Sequence, residues 1–274
     1  LYGPFFLLKT LLLTIYSLQL CNMENKQEYA IDPTIQYDVV ELPSRGIMYP
    51  NRTKSVKVAY LTAADENILS SPNLIASGEV INELLKRKVL TKEVAIGDMV
   101  EEDRQAILIF LRNTAFGPLI GMRIVDPKTD EEFETEVDLS ELTYKEFNLI
   151  EDENGQYPYF LEKSKVDITF NFLTPSDEKE MNDISSSWNG IGTAPIVTKR
   201  LEKMIKSVKG NTDPMNIRNF IETMPIADSQ QFRRYVRDNK PGVDLSRTIY
   251  APSGEEVTFN VNFGVEFFRP FYGL

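Results

Sequence analysis

The sequence predicts an α+β protein in which one strand–helix–hairpin unit is used twice, by internal duplication. An alternating apolar strand runs into Leu-Thr-x-x-Asp-Glu at two places in the chain. A helix–turn–strand–turn–strand stretch then repeats without gaps at a spacing of 125 residues. The composition, 42% hydrophobic, 11% aromatic and 26% charged over 274 residues, suits one large folded core or two smaller ones. The expected division is 1–36 as leader plus N-terminal extension, 37–150 as the first unit and 151–274 as the second.

Phe5 to Leu20 is a nearly continuous apolar run, short for a bilayer span of about 20 residues and closer to a signal peptide, with Lys9 as a weak n-region and Leu11–Leu20 as its apolar core. The first methionine is Met23, and from there the chain turns polar and acidic. Residues 1–22 are therefore expected to be translated leader, with a genuine signal or anchor and a buried helix as the other readings.

The first unit opens with the turn-rich loop Leu42–Pro50 between two strands. Val56–Tyr60 alternates as a strand, and Thr62 is placed to cap a helix with Asp65 at its third position, as in a capping box. Val80, Ile81, Leu84, Leu85 and Leu90 mark a helix face, with Lys86, Arg87 and Lys88 at the end where cations suit the dipole. Asp98 is expected to cap the next helix, with Glu101 at its third position and a dense apolar run over Ala106–Leu111. Asp126–Asp130 reads as a hairpin tip. Glu151–Gly155 is the polar joint to the second unit.

The second unit repeats the order. Val166–Phe172 alternates, Thr174 is the cap, Pro175 takes the first helical position and Asp177 the third. Pro195 is expected to start a helix running through Lys209. Val197, Leu201, Met204, Ile205 and Val208 form one face; Lys199, Arg200, Lys203, Lys206 and Lys209 form the other. Asp213-Pro214 opens a short helix carrying Ile217, Phe220 and Ile221, and a further helix carries Phe232, Tyr235 and Val236. Ala251–Glu255 is the second hairpin tip. In the gapless match Met99, Asp103, Arg112, Gly117, Ile124, Pro127 and Glu131 align with Met224, Asp228, Arg237, Gly242, Ile249, Pro252 and Glu256.

The chemistry available is narrow. The chain has no histidine and a single cysteine, Cys21, which removes the usual general base, the commonest metal ligand, any internal disulfide and any thiolate zinc site. The carboxylate runs Glu101-Glu102-Asp103, Asp130-Glu131-Glu132 and Glu151-Asp152-Glu153 read as solvated surface. Calcium-loop spacing is absent, and Gly190-Ile191-Gly192 is too short for a phosphate loop. No catalytic residue, cofactor or metal is expected. A net charge of −11 and a pI near 4.8 argue against nucleic acid as a partner. The balance favours a binding or structural role. The candidate contact residues are the basic face Lys199, Arg200, Lys203 and Lys206, with Arg233, Arg234 and Arg237 nearby in sequence, and the C-terminal Phe267, Phe268, Arg269, Phe271 and Tyr272. The plainer readings are a solvated helix face and a last core strand.

Taken as an ordered set, these segments resemble the T-even phage baseplate family, the hub and hub-assembly proteins of contractile-tailed phages. The residues that carry the resemblance are Glu41–Gly46 with Tyr49-Pro50, Leu61–Glu66, Gly97-Asp98, Val137–Leu139, Leu173-Thr174, Asp177-Glu178, Pro241-Gly242 and Phe267–Pro270. Members of the family often carry Cys-Pro-x-Cys knuckles at the two hairpin tips. Here the tips carry Asp126, Thr129, Ala251 and Ser253, so no zinc is expected and the tips are expected to hold as plain turns. The resemblance implies a non-enzymatic phage tail protein, found in the virion tail or in the host cytoplasm during assembly. It implies baseplate, hub or tape-measure proteins as partners, and neither nucleic acid nor membrane for the mature chain. A transient chaperone of the tape-measure protein is the alternative within the family, and a carboxylate-based hydrolase of the tail is the alternative outside it.

Overall fold

The structure is a computed structural model that describes residues 33–188, 194–263 and 265–268. The expected leader at residues 1–22, the Gly190–Gly192 segment, and Arg269, Phe271 and Tyr272 lie outside the described residues. Among those described there are eight α-helices and nine strands, the strands arranged as small antiparallel sheets. Tyr37–Leu274 forms one compact body.

β1 (Tyr37–Glu41) pairs with β2 (Ser55–Ala59), so that Val40, Val56 and Val58 face inward while Tyr37 and Val39 stay exposed. The loop between them is ordered as expected, with Leu42, Met48 and Tyr49 buried. α1 (Ala63–Leu69) starts at the expected capping box: the Thr62 N–H and Oγ1 donate to Asp65 Oδ2 at 2.7 and 2.8 Å. α2 (Pro72–Ser77) and α3 (Val80–Lys88) follow, and α3 buries Val80, Leu84 and Leu85. Lys88 turns inward and forms an ion pair with the equally buried Asp65. Val89 then bridges Val58 and extends the β1–β2 sheet.

α4 (Glu101–Phe116) corrects one expectation. Its cap is Val100, and Asp98 closes a 3₁₀ turn over Ile96–Asp98. The Tyr49 hydroxyl accepts the Val100 N–H at 3.0 Å and holds that residue in extended backbone, so the helix begins beyond it. β3 (Leu119–Val125) and β4 (Glu132–Asp138) form the first long hairpin. The Arg112 guanidinium fastens helix to hairpin by donating to the carbonyls of Gly117 and Leu119, each at 3.0 Å.

In the second half β5 (Tyr157–Leu161), β6 (Val166–Phe170) and β7 (Ile205–Val208) make a three-stranded sheet. α5 (Pro175–Ser187) carries the second capping box, Thr174 Oγ1 donating to Asp177 Oδ2 at 2.7 Å. α6 (Ile196–Met204) is shorter than expected. The chain turns extended at Ile205, and Lys206 sits in strand β7 and not on the helix. The cause is local: β-branched Ile205 and Val208 bury opposite Phe170 and Ile168, and the Asn171 N–H donates to the Met204 carbonyl at 2.9 Å. α7 (Pro214–Thr223) is capped by Asp213, which accepts the Asn216 N–H at 2.9 Å. α8 (Ile226–Asp238) leads to the second long hairpin, β8 (Ser246–Tyr250) and β9 (Glu256–Asn260). A single apolar core takes side chains from both halves, among them Val58, Leu84 and Ile107 with Phe170, Leu201 and Phe232.

The C-terminal aromatic segment is neither a strand nor a surface anchor where it is described. Val265–Phe268 is a 3₁₀ turn, and Phe267 and Phe268 are buried. Their rings pack on each other at 5.3 Å between centroids, and Phe263 lies 4.8 Å from Phe267. Large aromatic rings that find a pocket this close gain more by burial than by waiting for a partner.

Candidate functional site

The expected basic face is not a row of unpaired charges. Lys199 pairs with Glu202 at 2.8 Å, Arg200 with Glu178 of α5, and Lys203 with Glu180 at 2.7 Å and Asp177 at 3.5 Å. Lys206 donates to the Lys203 carbonyl at 2.7 Å. The cations of α6 therefore mainly bind the acidic face of α5 and close the two helices together. Each exposed pair contributes little by itself, typically below about 1 kcal/mol.

The unspent positive charge lies one helix further on. A groove of about 580 Å³ runs between α5, α6 and α8, and Arg200, Arg233, Arg234, Arg237 and Lys240 line it against one carboxylate, Glu178. Phe172, Met204 and Val236 form its floor, each nearly fully buried. Arg237 pairs with its neighbour Asp238 at 2.9 Å and Lys240 with Glu102 at 2.6 Å. Among the described residues no carboxylate pairs with Arg233 or Arg234; the Arg233 Nε donates only to the Ser229 carbonyl, at 3.2 Å. Of the basic residues singled out in the sequence, Arg200 reaches this groove together with Arg233, Arg234 and Arg237. Arg233, Arg234 and Arg237 enter it from α8, which lines the groove opposite Arg200 and Met204 of α6.

Two carboxylates that the sequence placed at the surface or left without a role are buried. Asp103 and Asp228 are both 0% exposed. Asp103 accepts the Ser44 N–H at 2.9 Å, the Ser44 hydroxyl at 2.6 Å and the Tyr49 hydroxyl at 2.6 Å. Asp228 accepts the Lys163 and Ser164 N–H groups at 2.8 and 2.7 Å and the Ser164 hydroxyl at 2.6 Å. Each ties the loop of a strand pair to the first turn of a helix. Burial pushes the Asp103 carboxyl up, outweighing its hydroxyl and amide donors. Burial would raise Asp228 as well, but the Ser164 hydroxyl and the Lys163 and Ser164 amides outweigh it and hold the group below the usual range. The signal available in the sequence was their alignment at the 125-residue spacing. Their donors are structural, which leaves neither placed as one of two carboxylates across an open cleft. Among the described residues no group of three or more His, Cys, Asp and Glu side chains gathers where it could hold a metal.

The hairpin tips are turns, closed by the Asp130 N–H donating to the Asp126 carbonyl and the Gly254 N–H to the Ala251 carbonyl, each at 2.9 Å. They meet: Asp126 accepts the Ser253 hydroxyl at 2.8 Å and the Ser253 N–H at 3.1 Å. Asp126 is buried, yet the Lys128 amide and the Ser253 hydroxyl and amide outweigh that burial and keep its carboxyl low. The strand edges offer a different kind of surface. Among the described residues β1 pairs only with β2, and Tyr37 and Val39 face outward along it, Val39 at 53% exposure. No helix among the described residues is long and apolar enough to cross a membrane.

The family model described as T4 bacteriophage base plate protein matches residues 34–269. No curated protein and no solved structure matches the chain.

Proposed function

The chain belongs to the T4 bacteriophage base plate protein family, and on that premise we propose that it serves the baseplate hub, as a subunit or in its assembly, by binding other phage proteins. The observation that carries this reading is the extent of the match. It covers both hairpins, both capped helices and the groove, so the family's role attaches to the fold as a whole and not to one segment.

The internal duplication belongs to this proposal. Residues 37–150 and 151–274 are read as two copies of one unit. Both contain a capping box after a strand, at Thr62–Asp65 and Thr174–Asp177. Both contain a buried aspartate at the first turn of a helix that holds a serine-bearing loop. Both end in a hairpin that follows a glycine. Two copies display two strand edges and two hairpins from one core, which suits a protein that bridges neighbours in an assembly. The edge of β1 that no described strand covers, beside the outward Tyr37 and Val39, suits one such contact. The buried carboxylates support this reading over a tail hydrolase, because glycoside cleavage needs its pair facing an open cleft.

Quantitative peptide mass spectrometry on purified particles beside an infected-cell lysate tests the proposal. Peptides of this chain in the particle, at a few copies each, are the expected result and make it a resident tail component acting in the virion. Peptides abundant in the lysate and missing from particles would instead make it an assembly protein that leaves, such as a chaperone of the tape-measure protein. Absence from both would overturn the proposal.

A further inference from the structure

We propose that the groove between α5, α6 and α8 receives an acidic segment of another protein, anchored by an apolar side chain on the groove floor. The inference rests on the protein-binding reading above and gives the partner's chemistry. Three observations carry it. Arg233 and Arg234 have no ion-pair partner among the described residues, whereas Lys199, Arg200 and Lys203 on the adjacent helix are all paired within the chain. The floor formed by Phe172, Met204 and Val236 is apolar, so an occupant gains by placing an apolar group there. The groove is a concentrated positive site on a chain whose net charge is −11.

The charges decide the class of occupant. Covering two arginines with a neutral or basic surface would remove them from water without compensation, which is costly. Carboxylates compensate them, and guanidinium–carboxylate pairing is directional. The net negative charge disfavours an acidic partner on the rest of the chain, so the groove helps to fix the orientation of approach as well as the place. A phosphate backbone would meet the same repulsion along a much longer contact. A flat bilayer surface cannot reach a recessed floor.

Fluorescence anisotropy on the full chain tests this directly. The probe is a short fluorescein-labelled peptide in which a Leu-Trp pair is flanked by runs of glutamate. It is expected to bind, and to bind more weakly as ionic strength rises from about 0.01 to 0.15 M and the Debye length shrinks from roughly 30 to 8 Å. Arg233→Glu with Arg234→Glu is expected to weaken binding roughly tenfold, because two favourable rim pairs become repulsive. Arg234→Glu alone, at an exposed position, is expected to lose part of that and to melt like the parent chain. Equal binding by the folded variants would overturn the groove as the site. Equal binding by an all-glutamate peptide would overturn the apolar anchor. Stronger arginine-dependent binding of phosphatidylserine vesicles, of a single-stranded oligonucleotide or of a second copy of the chain would overturn the acidic-segment assignment. These readouts do not depend on whether the chain is found in particles, so the failure of one proposal is distinguishable from the failure of the other.

Discussion

Asp103 and Asp228 do the same mechanical job with opposite electrostatic signs. Asp228 is held below its usual range by the Ser164 hydroxyl and two amides despite its burial. Its folded-state pKa therefore lies below the unfolded value near 3.9, so its contribution is present above about pH 4 and is lost as pH falls through the folded pKa. Asp103 is raised by burial. Its folded state prefers the protonated acid, so stability is gained at this site as pH falls through the raised value. Asp228→Asn is therefore expected to flatten the acid limb of stability against pH, and Asp103→Asn to steepen it. Urea titrations across pH 3–7 would read both, and slopes changing in the same direction would refute the assignment. Asp228→Ala is expected to cost about 2–3 kcal/mol at neutral pH, because it leaves the Lys163 and Ser164 amides without an acceptor.

Among the elements, the β1–β2 loop shows the strictest backbone requirement. Gly46 has φ +75°, and a Cβ there would stand 2.6 Å from the Arg52 carbonyl carbon and oxygen and from the Thr53 carbonyl oxygen. These are backbone atoms that cannot step aside. Gly46→Ala is expected to destabilise by about 2 kcal/mol or more, a fall of roughly 4–8 °C in Tm measured by circular dichroism. The hairpin tips predict non-additivity. Ser253→Ala breaks only the hydroxyl bond, whereas Asp126→Ala also removes the acceptor of the Ser253 and Lys128 amides, so the double variant should lose little more than Asp126→Ala alone. Strict additivity in thermal melts would show that the tips do not act through each other. Much at this scale was legible in the sequence. Thr62–Asp65, Pro175 and Asp213 announce their helices through side chains that act on their own next turn, a purely local matter. The end of α6 was not legible, because Ile205 and Val208 fit a helix face as well as a strand and only the presence of β6 decides between them. The groove was half legible. The arginines of α8 stood out, but their junction with Arg200, and the pairing of Lys199 and Lys203 with α5, depend on contacts between helices distant in sequence. Phe267 and Phe268 had the composition of an interface and of a core alike, and the core won because Phe263 and the rest of the buried cluster lie within reach.

At the scale of the molecule, the question is whether residues 37–150 and 151–274 behave as two folding bodies. Their joints argue for one. Tyr144 bridges Val243, the Lys145 N–H donates to the Gly242 carbonyl at 2.8 Å, and the Asp244 N–H donates to the Thr143 carbonyl at 2.8 Å. Gly242 sits so close to α4 that a Cβ would stand 2.9 Å from Glu102 Cγ, and Lys240 pairs with that same glutamate. Arg52 of the first half pairs with Glu151 at the joint, and Asp126 holds Ser253 at the far end of the hairpins. Behind these contacts lies one apolar core drawn from both halves, and splitting it would expose buried side chains at about 25 cal/mol per Å² of surface. Neither half can lose its structure without uncovering the other. The chain is therefore expected to unfold in a single transition, with near- and far-ultraviolet circular dichroism coincident and the calorimetric enthalpy equal to the van't Hoff value. A truncated chain lacking residues 151–274 is expected to show neither a cooperative melt nor fixed near-ultraviolet signals. Two resolved transitions, or a truncated half that melts cooperatively, would mean that the shared core is a contact between finished domains. The two stretches would then be able to move against each other within an assembly.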